Sequence, residues 1–430
     1  MKKLVCVLVV LIVMLSGCSA ISSTSKNNGK DETSVNKISI DEIISRDVYL
    51  PDANDLQTKS YNLKNTNLKG FNISEFLAGK YLGYISEYKN GEGIVDIECL
   101  VDENLKNKTE VSYPADFPDW SVAAGSSIIL KNRFIYEWKS YTSEFSESTA
   151  HDVKLTRIDG ETGEVLVIDE IEQNNPFIYL CKINDSSFLS YSISKGPSER
   201  TDYATVTVAT LYNTEGEKKE IINETYENDA SWTDSEGILI ERFAAKDGKL
   251  YGLGRRRISG EYRFFLYCYD LNGKLIDTKP LENFEKVIDY EQLVEFNLVG
   301  DYIVFRTYES LSTYICKIED SEIEVVMKGA DGAIHYTVFD NYIFFIESNV
   351  DVYTADVTNK LCPLYVIDVA NERINKINFS VSLGSPYFVG LKSLSNGDIV
   401  FTYCENGEYD PLNEVQYILE FEEINKLMNQ

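Results

Sequence analysis

The sequence predicts an all-β chain assembled from repeated four-stranded antiparallel units, and three observations carry that prediction. One hairpin plan recurs: HDVKLTRIDGETGEVLVIDEI (151–171), TVATLYNTEGEKKEIINET (207–225), FFLYCYDLNGKLIDTKPL (264–281) and TYICKIEDSEIEVVMKG (313–329). Each runs apolar, turns through an acidic or Asn-Gly loop, and returns apolar, which is how β-branched and aromatic runs joined by short loops form hairpins. A second strand type, aromatic or aliphatic at its first or second position, begins at 80, 133, 187, 249, 301, 341 and 398, a mean interval of 53 residues. No stretch shows the long 3.6-residue periodicity that helices of an α/β fold require.

The elements follow in chain order. Lys2 and Lys3 precede an apolar run, Leu4–Leu15. Twelve residues are too few to cross a hydrocarbon core of ~30 Å, so the run reads as a signal peptide rather than a membrane span. Leu15-Ser16-Gly17-Cys18 resembles the lipobox of bacterial lipoproteins. That resemblance implies cleavage before Cys18, a diacylglyceryl anchor with acyl chains such as palmitate on the Cys18 sulfur, and a place at the cell membrane facing the extracytoplasmic side. Two acyl chains anchor stably where one is marginal. Residues 18–37 are polar and aperiodic and read as a flexible tether. Residues 38–56 form a short N-terminal segment, in which Ile40, Ile43 and Ile44 share a face and Ile38–Leu50 reads as a short helix or irregular cover.

From residue 57 to 430 the repeat takes over. In each unit an apolar run supplies strand A, and the strand with the 53-residue rhythm is B: KYLGYISEY (80–88), RFIYEWKSY (133–141), SFLSYSIS (187–194), KLYGLGRRR (249–257), DYIVFRTYES (301–310), NYIFFIES (341–348) and DIVFTYCE (398–405). The hairpin is C and D. Four antiparallel strands about every 50 residues, repeated seven times, is the pattern of a β-propeller, with seven four-stranded blades expected and eight as the alternative. The last unit yields PYFVGLKSLS, DIVFTYCE and VQYILEFEEI and then stops. Because an open edge invites pairing, a strand at Gln57–Leu63 is expected to complete it. The resemblance to propellers spans about residues 57–425 and rests on strand rhythm. The chain lacks the Trp-Asp repeat pair, the kelch double glycine, the sialidase-type Asp-box and the quinoprotein blade pattern. Bacterial lipoprotein propellers are most similar to it.

Composition narrows the function. With 41 basic and 69 acidic side chains the formal charge is −28, which repels nucleic acid and anionic lipid head groups. Six cysteines follow the lipobox (Cys99, Cys181, Cys268, Cys316, Cys362 and Cys404), with no CxxC spacing for zinc or redox chemistry. They read as buried free thiols. Two histidines, His151 and His335, are too few for a His-rich zinc site and make a Ser-His-Asp triad improbable. The acidic run Glu227–Glu236 lacks EF-hand spacing and reads as a solvated loop rather than a Ca²⁺ site. No cofactor is implied.

Loops and arginines point to the ligand face. Connections after strands B and D emerge on one side. The long ones are Ser140–Ala150, Lys195–Tyr203, Ile258–Arg263 and Glu405–Asn413 after B, with Tyr113–Trp120 and Asn228–Trp232 after D. Long loops in a compact fold carry function. Aromatic candidates there are Tyr141, Phe145, Tyr203, Trp232, Tyr262 and Tyr409, and Trp120 ends another; for Trp120 and Trp232, packing between blades is the competing role. Four of 11 arginines, Arg255, Arg256, Arg257 and Arg263, fall within nine residues. Alternation sends Arg255 and Arg257 to one side of the strand and Arg256 to the other. Such guanidinium groups grip carboxylates or phosphates, or pair with neighbouring blades in so acidic a chain. The expectation is a monomeric, membrane-tethered propeller that binds or scaffolds a protein or glycan on this face. The alternative is a glycosidase-like hydrolase with a carboxylate pair in the central channel.

Overall fold

A computed structural model describes residues 47–49 and 71–428, apart from 90–92, 104–105, 116–121, 141–150, 174–177, 197–203, 228–233, 236, 283, 289–292, 308–311, 320–321, 330–333, 348–360, 381–386 and 405–413. Seven antiparallel sheets follow one another along the chain, over residues 71–110, 122–173, 179–226, 239–280, 293–329, 334–380 and 387–419. Within each, strands pair in sequence order, so every connection is a hairpin. All seven strands of the 53-residue rhythm are the second strand of their sheet, and all four repeated hairpins are third and fourth strands.

The core shows how the sheets are arranged. Buried apolar side chains fall into seven clusters, each made of residues from two consecutive sheets. One of them joins the first sheet to the last, with Phe71, Ile73, Tyr81, Cys99 and Val101 against Leu394, Val400 and Ile418. Seven sheets with seven seams make a closed ring. The chain is a seven-bladed β-propeller.

This packing explains why strand B reads as an unbroken apolar run. In Tyr342–Glu347, Ile343 and Phe345 face blade five while Phe344 and Ile346 face blade seven. Both faces of the strand are buried, so the polar/apolar alternation of a one-sided sheet disappears.

At four of the seams a side chain also stitches one blade to the backbone of the next. Leu180 N donates to Ser126 Oγ at 2.8 Å, Leu293 N to Glu241 Oε2 at 3.2 Å, Ser393 N to Thr337 Oγ1 at 2.9 Å, and Ile73 N to Gln416 Oε1 at 2.7 Å. The innermost strand of each blade has an unpaired edge, and these bonds satisfy part of it. The Gln416 contact is the closing one, linking residues 343 apart in sequence.

The chain ends differ from expectation. Residues 47–49 are a strand rather than a helix, and they pair in parallel with Lys376, Ile377 and Asn378 on the outer edge of blade six. An added strand covers ladder groups that a short helix would leave open. The run VQYILEFEEI divides: Glu414–Leu419 is strand, and Phe421–Met428 is helix. Phe421, Ile424 and Met428 recur at helical spacing and pack into the seam between blades six and seven. Phe421 N donates to Asp398 Oδ1 at 3.0 Å, tying the helix start to the blade. The last blade has three strands among the described residues. The proposed closing strand Gln57–Leu63, like the lipobox with Cys18, lies outside the described residues. No helix among them is long and apolar enough to cross a membrane.

Candidate functional site

Blade four carries the arginine cluster. Its second strand, Lys249–Ile258, pairs with its third, Glu261–Tyr269, through Arg255↔Phe264, Arg256↔Arg263 and Arg257↔Tyr262. The expected long loop Ile258–Arg263 is therefore a correction. Ser259 (φ 53°) and Gly260 (φ 86°) alone form the turn, and both lie in the left-handed region of the two-residue type I′ hairpin. Tyr262 and Arg263 belong to the strand.

Alternation places the arginines as expected, with opposite consequences. Arg255 faces blade five, over the rings of Tyr262 (5.2 Å) and Phe264 (5.9 Å). Its Nε lies 2.9 Å from Glu241 Oε1, with the two side chains 13% and 7% exposed. Glu241 also accepts from Leu293 N, so this pair locks blade four to blade five. Arg257 Nε donates to Gly260 O at 3.2 Å, and its backbone N donates to Ser235 Oγ at 2.9 Å. Arg263 pairs with Glu261 (2.5 Å) and Glu285 (3.4 Å).

Arg256 has no carboxylate partner among the described residues, and it is exposed. It lies over the Phe265 ring at 5.3 Å, on the face toward blade three. Directly opposite sits Arg263, a like-charge cross-strand pair that is unfavourable unless something anionic or polar is shared. Trp120, Trp232, Tyr141 and Phe145, with Tyr203 and Tyr409, lie outside the described residues.

A carboxylate pair of the kind a hydrolase needs occurs elsewhere. Glu98 and Glu137 both approach Lys139 Nζ, at 3.3 and 2.9 Å, and Tyr113 joins them through short bonds to Glu98 and Lys139. Burial pushes the Glu137 carboxyl above its usual range, Lys139 opposing it. Burial disfavours the Lys139 charge, but Glu137 and Glu98 more than offset that and raise its pKa. The ammonium fills the space between the two carboxylates, where a scissile bond would have to sit. Glu75 is a second buried carboxyl raised by burial, bonded to Phe76 N (3.0 Å) and Ser395 N (2.7 Å) at the ring closure.

Metal and thiol chemistry have little footing in the described residues. No group of three or more His, Cys, Asp and Glu residues is placed to hold a metal ion there. Cys99, Cys181, Cys268 and Cys316 are free and buried. Burial pushes the Cys99 thiol up to about 11 and Cys181 to about 12, far from thiolate reactivity. His335 is pushed down, by burial and then by Arg306.

What the sequence did not single out is the face beneath Arg256. Along it run Phe265, Tyr267 and Tyr269, with Gly254 and Gly252 opposite the first two. A Cβ at residue 254 would come within 2.4 Å of Leu239 O, so the inner strand approaches here as only glycine permits. The signal was the spacing of glycines and aromatics in YGLGRRR and FFLYCY.

No protein-family model matches the chain, and no curated protein does. Among solved structures, oligogalacturonate lyase from Vibrio parahaemolyticus is similar at 13% identity and a TM-score of 0.46, over 85% of this chain and 94% of that one. An α-L-arabinanase from Penicillium chrysogenum is similar at 9% identity and 0.39, over 73% and 97%. A prolyl endopeptidase is similar at 11% and 0.43, over 78% of this chain and 45% of its own. Likenesses this distant assign no activity.

Proposed function

We propose that the protein is a membrane-tethered, extracytoplasmic propeller that binds a protein or glycan on the face where B–C and D–A connections emerge. Arg256 is the observation that supports this reading. In a chain of net charge −28, an exposed guanidinium without a carboxylate, set over an aromatic ring and opposite a second arginine, is a poor internal stabiliser and a good contact for a ligand. Arg255, by contrast, acts within the ring. The tether and the lipid on Cys18 are part of the proposal and rest on the lipobox.

The test compares the soluble ring with its Arg256→Ser variant on glycan and peptide arrays. Capture by the native ring that falls at least tenfold in a folded Arg256→Ser variant is the expected result. Equal capture by both rings removes this face from the proposal. The hydrolase reading would require product release; the Glu98–Glu137 pair is bridged by Lys139 and is not itself open.

A further inference from the structure

Arg242 stands on the first strand of blade four, Leu239–Lys246, directly after a bulge. Ile240 pairs with Gly254 and Arg242 with Leu253, which leaves Glu241 as the extra residue. Bulges re-aim the side chains beside them. Ala244, two residues on, packs into the seam with blade five, so alternation starts Arg242 toward that blade. There its Nε donates to Val294 O at 2.8 Å. Val294 is itself the extra residue of a bulge, in the first strand of blade five, Leu293–Val299. Nη2 of the same guanidinium turns the other way and donates to Tyr179 OH at 3.1 Å. Its Cζ lies 4.2 Å from the centre of the Tyr179 ring, which belongs to the first strand of blade three, Tyr179–Asn184.

The sheet of blade four stands between those two contacts. A side chain lying inside the seam with blade five has no route through that sheet to blade three. The guanidinium therefore rounds the inner edge of its own strand, where the first strands of blades three, four and five adjoin, and lies on the axial side of the ring. Arg242 and Tyr179 are both half-buried, so solvent reaches this wall. Tyr179 is held in turn by stacking on Tyr191 at 5.3 Å. Nη1 of Arg242 donates to Glu241 O at 2.5 Å. A guanidinium has five N–H donors. Three are taken here, one on each nitrogen, which leaves one on Nη1 and one on Nη2. No carboxylate pairs with Arg242 among the described residues, in a chain with 69 acidic side chains.

We propose that Arg242, held against Tyr179 by the two bulges, is a binding site for one ligand carboxylate on the axial wall of the ring, separate from the Arg256 face. Two donors left on a fixed, planar guanidinium match the two oxygens of a carboxylate, the pairing arginine makes most strongly. A half-buried cation without a counter-charge has given up hydration that an anion restores. The net charge of −28 limits which anion enters. A polyanion or a phosphate dianion is repelled more strongly than a single carboxylate.

The test is run on the purified full chain at fixed ionic strength, by calorimetric titration and thermal melting. The probes are N-acetylalanine against its amide, glucuronate against glucose, and inorganic phosphate. At least one carboxylate should bind tenfold or more tightly than its neutral counterpart, and more tightly than phosphate, and should raise the melting temperature. Which carboxylate does so tells a peptide end from a sugar acid. Arg242→Gln should weaken that carboxylate at least tenfold. Arg242→Lys keeps the charge and loses the fork, so it should fall between the two, and it serves as the variant where Arg242→Gln does not fold. Equal binding of carboxylates and neutral counterparts by the native chain would overturn the proposal, and a lower melting temperature in Arg242→Gln would then make Arg242 a tie between blades only. Phosphate bound more tightly than either carboxylate would overturn it, as would a folded Arg242→Gln variant that binds the carboxylate as the native chain does. Array capture lost in Arg256→Ser, together with any of these results, would leave the Arg256 face standing and remove this site alone.

Discussion

Arg255 and Arg256 are neighbours in sequence and opposites in environment. Arg255 is the buried partner of Glu241, and removing one member of a buried pair leaves an uncompensated charge. Arg255→Ser should therefore cost about 3–5 kcal/mol in denaturant unfolding. Arg256→Ser, at a surface position without an ion pair, should stay within roughly 0.5 kcal/mol of the native ring. Equal losses in the two variants would show that the strand does not divide them as described. Glu137 supplies a pH test. Burial raises its pKa in the folded ring, so the stability it contributes is fully present below its unfolded value and is lost as pH rises through the folded value. The stability of the native ring minus that of Glu137→Gln should accordingly fall as pH rises above the ordinary glutamate range. A difference that is constant through that rise contradicts the raised pKa. At the other end of the chain, Cys18→Ala should move the protein from the membrane fraction to a soluble or uncleaved form, and unchanged fractionation and mass would remove the lipid anchor.

At the scale of elements, what was legible in the sequence follows from periodicity. Strand B stood out in every blade because both its faces are buried, which leaves a long apolar run such as NYIFFIES. The C–D hairpins were legible through their Gly and acidic turns. The C-terminal segment was not: FEEINKLM carries only three apolar contacts at helical spacing, and its neighbour QYIL blends into it as a strand. The three-residue strand Asp47–Tyr49 is too short to show any period. The site was half legible. Charge drew attention to all four arginines, and alternation divided Arg255 from Arg256. Which of them had a carboxylate depended on Glu241, Glu261 and Glu285, two of them in other strands or a helix, and no local pattern reports that. Tyr267 and Tyr269 looked like ordinary core. Two element-level outcomes follow. Gln416→Leu should cost ~1–3 kcal/mol by leaving Ile73 N without its partner at the ring closure. Truncation before Phe421 should also destabilise the ring, since Ile424 and Met428 each bury a side chain worth roughly 1.5–3 kcal/mol. Differential scanning calorimetry reads both, and a truncated ring that melts at the native temperature would show that the helix is not part of the seam.

The whole molecule is a ring of seven apolar seams, four of them also stitched by side-chain contacts to backbone, closed where the first blade meets the last. Such a ring holds the hairpin ends of several blades on one face, and the described part of that face offers Arg256 over the Phe265 ring. A binder and a hydrolase make opposite demands on this arrangement: one needs the ligand held, the other needs an open carboxylate pair. The deciding measurement is the fate of captured ligand. The soluble ring is incubated with ligands retained on the glycan and peptide arrays, and bound and free fractions are weighed by mass spectrometry over many hours. Ligand recovered intact in both fractions, with saturable binding lost in Arg256→Ser, is the predicted result. Ligand shortened by water addition, at a rate that rises with protein concentration and disappears in Glu98→Gln or Glu137→Gln, would contradict the account.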